Sequence, residues 1–248
     1  MKIEKLNDNQ IRCTLTRADL ADRQIKLSEI VCGSDKAKSL FQDMMEQAAS
    51  EFGFEAEVLN LGGGFAVKYT AEQGEVNISE YIGEIAKNVT NLCEKYSVKM
   101  PKIFMEPGRS IVAAAGITLY TVGTRKEIPG FKNYISIDGG MPDNPRYALY
   151  QSPYTVVCAN RASSPADYKA TVCGRCCESG DLIAEDIKVQ KMDRGDTLAV
   201  LVTGAYNYSM ASNYNRIPRP PIVIVKDGND RLSVRRESFE DLIKNEVL

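Results

Sequence analysis

The feature that most constrains the fold of this chain is a pair of short apolar segments, each followed by a loop that contains glycine. Val58–Leu61 leads into Gly62-Gly63-Gly64, and Ile103–Met105 leads into Glu106-Pro107-Gly108-Arg109. Between them, from about Ile78 to Tyr96, apolar residues recur at the spacing of one helical face. Strand, helix and strand in this order predict a βαβ unit with parallel strands, whose loops open on the same edge of the sheet.

The glycines of the first loop have two interpretations. Three consecutive glycines allow backbone N–H groups to approach an anion closely, and they also suit a flexible turn between a strand and a helix. The second loop adds the carboxylate of Glu106 and the guanidinium of Arg109. Because both loops are expected at one edge of the sheet, the pair favours an anion site more than either loop does alone.

After Arg109 the sequence is rich in β-branched and aromatic residues separated by Gly, Pro, Asn and Asp, which predicts a mostly antiparallel β domain. The predicted strands are Gly116–Thr124, Tyr134–Asp138, Tyr154–Ala159, Tyr168–Cys173, Thr197–Thr203 and Ile222–Lys226. Arg146 and Tyr150 lie between two of them, four residues apart, and share a face only if the segment is helical. Tyr206 follows the strand that ends at Thr203 and could present a hydroxyl donor.

A further group of reactive side chains occupies Gly174-Arg175-Cys176-Cys177-Glu178-Ser179-Gly180-Asp181. A thiol beside carboxylates and flexible glycines is a candidate for proton transfer. A buried cysteine pair near a turn is the simpler interpretation of the same residues.

Composition excludes several classes of function. The chain has no histidine, which rules out Ser-His-Asp and Cys-His catalysis and any histidine-ligated metal. Cys173 and Cys176 form a lone Cys-x-x-Cys motif, too few ligands for zinc, so we expect no metal. The 31 basic and 33 acidic residues are intermixed, without the basic stripe that binds nucleic acid. The apolar runs are too short to cross a membrane, no signal-peptide pattern is present, and the odd number of cysteines, seven, favours a cytoplasmic location.

Residues 1–57 predict a small α+β segment. Lys2–Leu6 and Gln10–Leu15 have the character of two strands joined by a turn at Asn7-Asp8-Asn9, and Ser34 is suited to cap a helix. The apolar residues of that helix form one stripe, which predicts a face packed into a core. They are Ala37, Leu40, Phe41, Met44, Met45, Ala48 and Phe52.

This first segment resembles the N-terminal domain of the MecA family, adaptors that deliver substrates to Clp proteases. The resemblance lies in Met1–Glu4, Leu20–Arg23 and Leu40–Met45 and ends at about Glu57. It implies a truncated adaptor domain, because the further strands and the Clp-binding domain of that family are not expected in this chain.

From about Val58 to Leu248 the sequence resembles the C-terminal part of the diaminopimelate decarboxylases, which belong to the alanine-racemase-like group of pyridoxal 5'-phosphate (PLP) enzymes. Five motifs occur in that family's order: Leu61-Gly62-Gly63-Gly64-Phe65, Glu106-Pro107-Gly108-Arg109, Arg146 with Tyr150, Cys177-Glu178-Ser179-Gly180-Asp181 and Gly204-Ala205-Tyr206. The resemblance implies an α/β plus all-β fold. The last βαβ portion of an incomplete (β/α)8 barrel, residues 58–112, would precede a mostly antiparallel β-barrel domain, residues 113–248.

The resemblance also implies a role for each motif. Gly62, Gly63, Gly64, Gly108, Arg109 and Tyr206 would bind the phosphate of PLP, and Glu106 would pair with the pyridine nitrogen. Arg109, Arg146 and Tyr150 would hold the distal end of meso-diaminopimelate, and Glu178 would recognise its remote ammonium. Cys177 would return a proton after decarboxylation. In that family the Cys-Glu segment reaches the neighbouring subunit's site, which implies a homodimer with shared active sites.

Several departures from the family pattern limit these implications. The family's Schiff-base lysine lies early in the barrel, in a Tyr-Ala-x-Lys-Ala type of motif, and no segment before Val58 resembles it. The histidine that stacks on the cofactor is missing, and only about two of the eight barrel strands are expected. Lys68 lies in a similar motif, Phe65-Ala66-Val67-Lys68-Tyr69, but follows the triple glycine instead of the first strand. We therefore predict a hybrid chain, joined near residues 57–58, that does not make lysine on its own.

Two other functions stay open at this point. One is a non-catalytic adaptor or binding module, in which the MecA-like segment binds a Clp-type chaperone or its substrates and the β domain dimerises. The other is a related decarboxylase acting on ornithine or arginine. Arg146 disfavours the second alternative, because the distal ends of those substrates are cationic.

Overall fold

The computed structural model describes residues 2–7, 10–25, 35–53 and 57–247. They divide into two compact units, one formed by Met1–Leu61 with Glu80–Phe104 and the other by Gly62–Ser79 with Met105–Leu248. Among the described residues, no helix combines the length and the apolar character needed to cross a lipid bilayer.

The first unit begins with a β-hairpin and a short helix. Strands β1 (Lys2–Asn7) and β2 (Gln10–Thr14) are antiparallel, which confirms the two predicted strands. The predicted turn at residues 7–9 lies mostly outside the described residues, and the predicted cap at Ser34 lies outside them entirely. Helix α1 (Arg17–Asp22) is absent from the sequence prediction. It begins with a capping box, in which Thr16 N–H donates to Asp19 Oδ2 at 2.7 Å.

Helix α2 (Asp35–Phe52) carries the predicted apolar stripe, but only part of the stripe is buried. Ala37, Leu40 and Ala48 are buried, whereas Phe41 and Met45 are 55% and 48% exposed. The prediction that the whole stripe packs into a core is therefore wrong for these two residues, which lie toward one side of the stripe.

The βαβ unit is present as predicted. Strand β3 (Val58–Asn60), helix α3 (Ile78–Lys95) and strand β4 (Lys102–Phe104) follow in order, and the two strands pair in parallel with Leu59 opposite Ile103. This pair is a two-stranded sheet. Its short, exposed strands agree with the implied last portion of an incomplete barrel.

The second unit is built on a six-stranded sheet. Its strands are β5 (Ile117–Ile128), β6 (Lys132–Ile137), β7 (Val156–Cys158), β8 (Tyr168–Cys173), β9 (Leu182–Val189) and β10 (Thr197–Leu201). They are ordered β7-β10-β5-β6-β8-β9, and all neighbours are antiparallel except β6 and β8. The sheet curls until its edge strands meet, where Cys158 N–H donates to Gln190 Oε1 at 2.9 Å. The predicted mostly antiparallel β-barrel domain is confirmed.

Side-chain alternation along these strands fills the inside of the curled sheet. On β5, Tyr120 and Val122 point inward and are 5% and 1% exposed, whereas Ile117 and Leu119 point outward. Burial of each large apolar side chain contributes about 1.5–3 kcal/mol to the free energy of unfolding. Fully buried members of this core are Ile135, Val172, Ile183, Val189, Met192, Leu198 and Val200.

Short elements connect and extend the sheet. The helices are α4 (Gly108–Val112), α5 (Arg146–Tyr150), α6 (Asn207–Met210) and α7 (Phe239–Ile243), with 3-10 turns at Ala113–Ala115, Ala159–Arg161 and Tyr214–Arg216. A separate hairpin consists of β11 (Ile222–Lys226) and β12 (Asn229–Val234). The site residues predicted from the sequence lie on these short helices or in loops, and not on the long strands.

Candidate active site

The two glycine-bearing loops lie against each other. Glu106 N–H donates to Gly62 O at 2.7 Å, and a side chain at position 63 would overlap the carbonyl oxygen of Glu106. The guanidinium of Arg109 donates to Phe65 O at 3.3 Å and to Gly64 O at 3.5 Å. Glycine is therefore required at position 63 by the close approach of a neighbouring backbone, and Arg109 fixes the first loop onto the second.

This pair of loops presents backbone donors to solvent. Gly62 and Gly64 have left-handed φ angles of +69° and +86°, which turn the loop sharply. Within the described part of the chain, no acceptor is found for the N–H groups of Gly63 and Gly64. In the second loop, by contrast, Gly108 N–H already donates to Glu106 O at 2.9 Å. Gly63 and Gly64 thus offer the backbone donors of an anion site, whereas the amide of Gly108 is engaged.

Arg146 is the most unusual residue of the second unit. Arg146 and Tyr150 lie on helix α5, so the condition under which they share a face is met. The guanidinium carbon lies 5.5 Å from the ring centre of Tyr150 and 5.1 Å from that of Tyr206. The residue is 8% exposed, and its Nη2 donates to Ser152 Oγ at 3.3 Å. Its Nε is buried and has no partner among the described residues. Arg146 is a cation held by two aromatic rings, with hydrogen-bonding capacity left over.

Tyr206 is placed by a strained loop. Its φ is +70°, a conformation that costs a residue other than glycine about 1–3 kcal/mol and persists only where the surroundings impose it. Two residues earlier, Gly204 fixes the same loop, because its N–H donates to Ala113 O at 3.0 Å and a side chain there would overlap the Val112 carbonyl. This contact places the residues that follow strand β10 next to the end of helix α4.

Beneath this cluster lies a buried tyrosine that links it to the core. Tyr154 donates from its hydroxyl to Asn207 Oδ1 at 3.4 Å and packs edge-on against Tyr69 with ring centres 5.2 Å apart. Burial raises the pKa of Tyr154, and the nearby Arg146 opposes that rise. Asn207 and Tyr69 were not among the predicted site residues, because an isolated Asn or Tyr in a strand-rich sequence gives no signal of its own.

In the loop that carries the cysteines, the buried carboxylate is Asp181. It accepts hydrogen bonds from Met141 N–H at 2.6 Å and Cys176 N–H at 2.7 Å, and it is 3% exposed. The carboxylate fills the space beside Gly140 and Gly174, where a side chain would overlap it. Asp181 therefore holds the cysteine loop to the loop after β6, a structural role that its place in the predicted cluster did not reveal.

The two adjacent cysteines have different environments. Burial and the neighbouring Asp181 raise the pKa of the Cys176 thiol to about 11, so that it stays protonated and poorly reactive at neutral pH. Cys177 is exposed. The interpretation of the two cysteines as a buried pair is therefore wrong, because Cys176 is only half-buried and Cys177 is exposed; proton transfer by Cys177 stays a prediction.

Glu178 is an exposed carboxylate with a defined set of donors. Gly180 N–H donates to Glu178 Oε1 at 3.2 Å, and the Tyr214 hydroxyl donates to Glu178 Oε2 at 3.4 Å. These hydrogen bonds, the backbone one first, lower the pKa of Glu178 and keep it ionised at neutral pH. No hydrogen bond or ion pair among the described residues joins Cys177 or Glu178 to Arg146. The predicted site residues are therefore grouped in three clusters: the glycine loops, Arg146 with Tyr150 and Tyr206, and Cys177 with Glu178.

Lys68, in the motif that resembles the family's Schiff-base motif, already has an anionic partner. Lys68 forms an ion pair with Glu75 at the surface. The sequence argument that Lys68 is not the anchor of a cofactor stays a prediction.

Comparison with known proteins shows what each part of the chain is similar to. A sequence model of the MecA family, described as a negative regulator of genetic competence, matches residues 1–94, which include the predicted MecA-like segment. The diaminopimelate decarboxylase of Bacillus subtilis (strain 168) is 47% identical over 208 residues, 84% of this chain and 47% of that protein. That of Staphylococcus aureus (strain COL) is 46% identical over 198 residues, 79% of this chain and 47% of that protein. The chain spans about half the length of the curated relatives it matches.

Solved structures show the same likeness. Diaminopimelate decarboxylase from M. jannaschii, in complex with L-lysine, superposes with a TM-score of 0.73 at 33% identity and covers 84% of this chain and 46% of its own. The Helicobacter pylori enzyme, also in complex with L-lysine, has a TM-score of 0.69 at 28% identity, with 85% and 50% covered. The predicted fold class is thereby confirmed. The chain combines a MecA-type N-terminal segment with a longer part that is similar, in sequence and in fold, to about half of a diaminopimelate decarboxylase.

Proposed function

We propose that residues 58–248 are the C-terminal part of a PLP-dependent carboxy-lyase that converts meso-diaminopimelate to lysine. The observation that carries the proposal is the buried guanidinium of Arg146 between Tyr150 and Tyr206, with its Nε unpartnered. A buried cation is costly unless hydrogen-bond acceptors or an anion complete its environment. The carboxylate of an amino-acid substrate matches a guanidinium in shape and charge.

The glycine loops fit the phosphate of PLP. The open N–H groups of Gly63 and Gly64 would hold the phosphate, with Gly62 shaping the turn and the Tyr206 hydroxyl as a further donor. Glu106, in the adjoining loop, would keep a proton on the pyridine nitrogen. When bound, PLP supplies a ring that accepts the electron pair released as CO₂ leaves.

The second loop contributes less directly than its sequence suggests. Gly108 and Arg109 would line the phosphate site, but the Gly108 amide and the Arg109 guanidinium both hydrogen bond to loop carbonyls. Arg109 would therefore bind the substrate only after its hydrogen bonds to Gly64 O and Phe65 O break. While those bonds are formed, Arg109 would keep the glycine loop in place.

The remaining residues would orient the substrate and move a proton. Arg146 and Tyr150 would bind the distal carboxylate, and the ionised Glu178 would bind the remote ammonium. Cys177 Sγ would donate a proton to the carbon that has lost CO₂. Cys177 and Glu178 are exposed, and no hydrogen bond or ion pair joins them to Arg146 among the described residues. A homodimer in which they serve the neighbouring site would account for their position. A cytoplasmic location belongs to the same proposal.

This chain alone would lack activity. It offers no lysine in the position of the family's Schiff-base residue, and Lys68 pairs with Glu75. The first experiment adds PLP to the purified chain, records the absorbance spectrum before and after borohydride, and locates any adduct by mass spectrometry. We expect no reducible adduct at a single lysine and no CO₂ release from meso-diaminopimelate. A stoichiometric adduct at Lys68 would overturn the prediction that the chain alone is inactive.

The proposed chemistry itself is tested by a graft. Residues 58–248 replace the matching part of the Bacillus subtilis enzyme, which keeps its own lysine-bearing half. The graft is expected to release CO₂ from meso-diaminopimelate and not from ornithine, because Arg146 selects a distal carboxylate. A folded graft with no decarboxylase activity would reject the function.

An adaptor function is the second candidate, supported by the MecA match over residues 1–94. Its N-terminal hairpin and helices are formed, and Phe41 and Met45 are exposed on helix α2. Retention of the chain by an immobilised Clp-type ATPase, lost on Phe41→Asp, would support it. An absence of retention would reject it without bearing on the decarboxylase proposal.

A further inference from the structure

Strands β3 and β4 form a parallel pair with exposed apolar side chains on both faces. Val58 and Phe104, on one face, are 45% and 54% exposed, and Leu59, on the other, is 38% exposed. Parallel strands are normally covered on both faces. Apolar residues exposed in this way mark a surface that binds another polypeptide.

The strand pair also has an open edge. Lys102 N–H donates to Glu57 O and Leu61 N–H donates to Phe104 O, each at 2.9 Å, so that Lys102 and Phe104 face β3. Ile103 lies between them and directs its backbone groups to the opposite edge. Among the described residues no strand pairs with that edge. Such an edge is a template for a further strand.

Helix α3 extends this uncovered region within the same unit. None of its described side chains is buried, and Tyr81, Ile82 and Leu92 are 51%, 42% and 52% exposed. A surface helix of a folded domain normally buries its apolar stripe. We call β3, β4 and α3 together the open barrel face.

We propose that the open barrel face binds a separate polypeptide that carries the first, lysine-bearing strands of a decarboxylase-type barrel. An open edge of a parallel pair continues with a parallel strand. The similar decarboxylases have a further half that this chain does not match, and the family resemblance places the earlier barrel strands and the lysine there. A second copy of this chain would bring only the same two strands. The choice of a lysine-bearing partner rests on the proposed function, whereas the docking itself rests on the exposed strands.

The test is co-expression of the full chain with a tagged polypeptide, the portion of the Bacillus subtilis diaminopimelate decarboxylase that this chain does not match. We expect a one-to-one complex, with slowed hydrogen exchange at residues 58–61 and 101–105. Phe104→Asp and Leu59→Asp should each weaken the complex about tenfold or more, because each places a charge in an apolar contact. Phe131→Asp is the matched control, since Phe131 is 72% exposed in the other unit.

Each outcome decides the proposal. A complex that is weakened by both strand variants but not by Phe131→Asp supports it, provided that circular dichroism shows all variants folded. Failure to form a complex, protection confined to other residues, or self-association of this chain in place of the mixed complex would overturn it. Activity is not the readout, so a stable complex without decarboxylation would contradict the proposed function and leave the docking in place.

Discussion

Replacement of Asp181 by asparagine should destabilise the second unit more than any other isosteric change in the cysteine loop. The carboxylate is 3% exposed and accepts from Met141 N–H and Cys176 N–H at 2.6 and 2.7 Å. Asparagine keeps the shape but turns one acceptor into an NH₂ group, which then faces a partly buried N–H. One charge-assisted bond is lost and one partly buried donor is left unpaired.

The magnitude follows from these two effects. A hydrogen bond to a charged group contributes about 1.5–3 kcal/mol, and an unsatisfied buried donor costs about 1–3 kcal/mol. Because the two overlap, we expect Asp181→Asn to lower the free energy of unfolding by about 2–4 kcal/mol, a large part of the roughly 5–15 kcal/mol typical of a domain. Asp167→Asn, at an exposed aspartate, is the control and should stay within about 0.5 kcal/mol of the parent.

Two assays check this prediction. Urea unfolding followed by circular dichroism gives the free energies, and thiol labelling with mass spectrometry reports on the loop. Release of the Cys176 amide should expose the Cys176 thiol, so that its labelling accelerates while that of Cys177 changes little. Equal stability of Asp181→Asn and Asp167→Asn, or unchanged labelling of Cys176, would refute the anchoring role.

Three further predictions concern other positions. Burial raises the pKa of Asp143 to about 6, so the folded state favours the protonated carboxyl. The free energy of unfolding should therefore fall as the pH rises from about 4 through 6, by up to about 3 kcal/mol. Asp143→Asn should remove that dependence in unfolding measurements from pH 4 to 8, and a parallel loss in both proteins would contradict it. Gly63→Ala should separate the two glycine loops and weaken phosphate binding in titration calorimetry, whereas Gly83→Ala, in open space on helix α3, should leave binding unchanged. Ile135→Ala should lower the free energy of unfolding by about 2–5 kcal/mol through the cavity it leaves, and the exposed Ile117→Ala should have little effect; similar values for both would refute the assigned core.

Sequence patterns were sufficient for the elements that depend on local periodicity. The parallel pair was predictable because glycine loops follow two apolar strands. Helix α5 was not, because the four-residue spacing of Arg146 and Tyr150 only places them on one face if the segment is helical. Strand β9 was missed because Glu185 and Asp186 interrupt its apolar alternation. Asp186 has a φ of +53°, and its N–H bonds to Thr171 Oγ1 at 3.2 Å, so the strand tolerates an irregularity that no pattern reports.

The site was predictable in its residue types but not in its contacts. Arg109 was a good candidate for a substrate carboxylate, yet carbonyl oxygens accept from a guanidinium equally well, and the fold brings Gly64 O and Phe65 O to it. Asp181 likewise lies in the group of reactive side chains but has a structural role, because the loop after β6 supplies the N–H donor of Met141, 40 residues away in the sequence. Such long-range pairings are set by the topology of the sheet, which a single sequence does not encode in any local pattern.

The central claim is that Arg146 holds the distal carboxylate of the substrate. Its most direct test is kcat/KM for meso-diaminopimelate in the graft that contains residues 58–248, with Arg146→Met compared with Arg194→Met, an exposed arginine of the same unit. Loss of a charge-assisted pair costs about 3 kcal/mol or more, so the account predicts a fall of about 100-fold or more for Arg146→Met and almost none for Arg194→Met. An Arg146→Met graft that is folded and as active as the parent graft would contradict it.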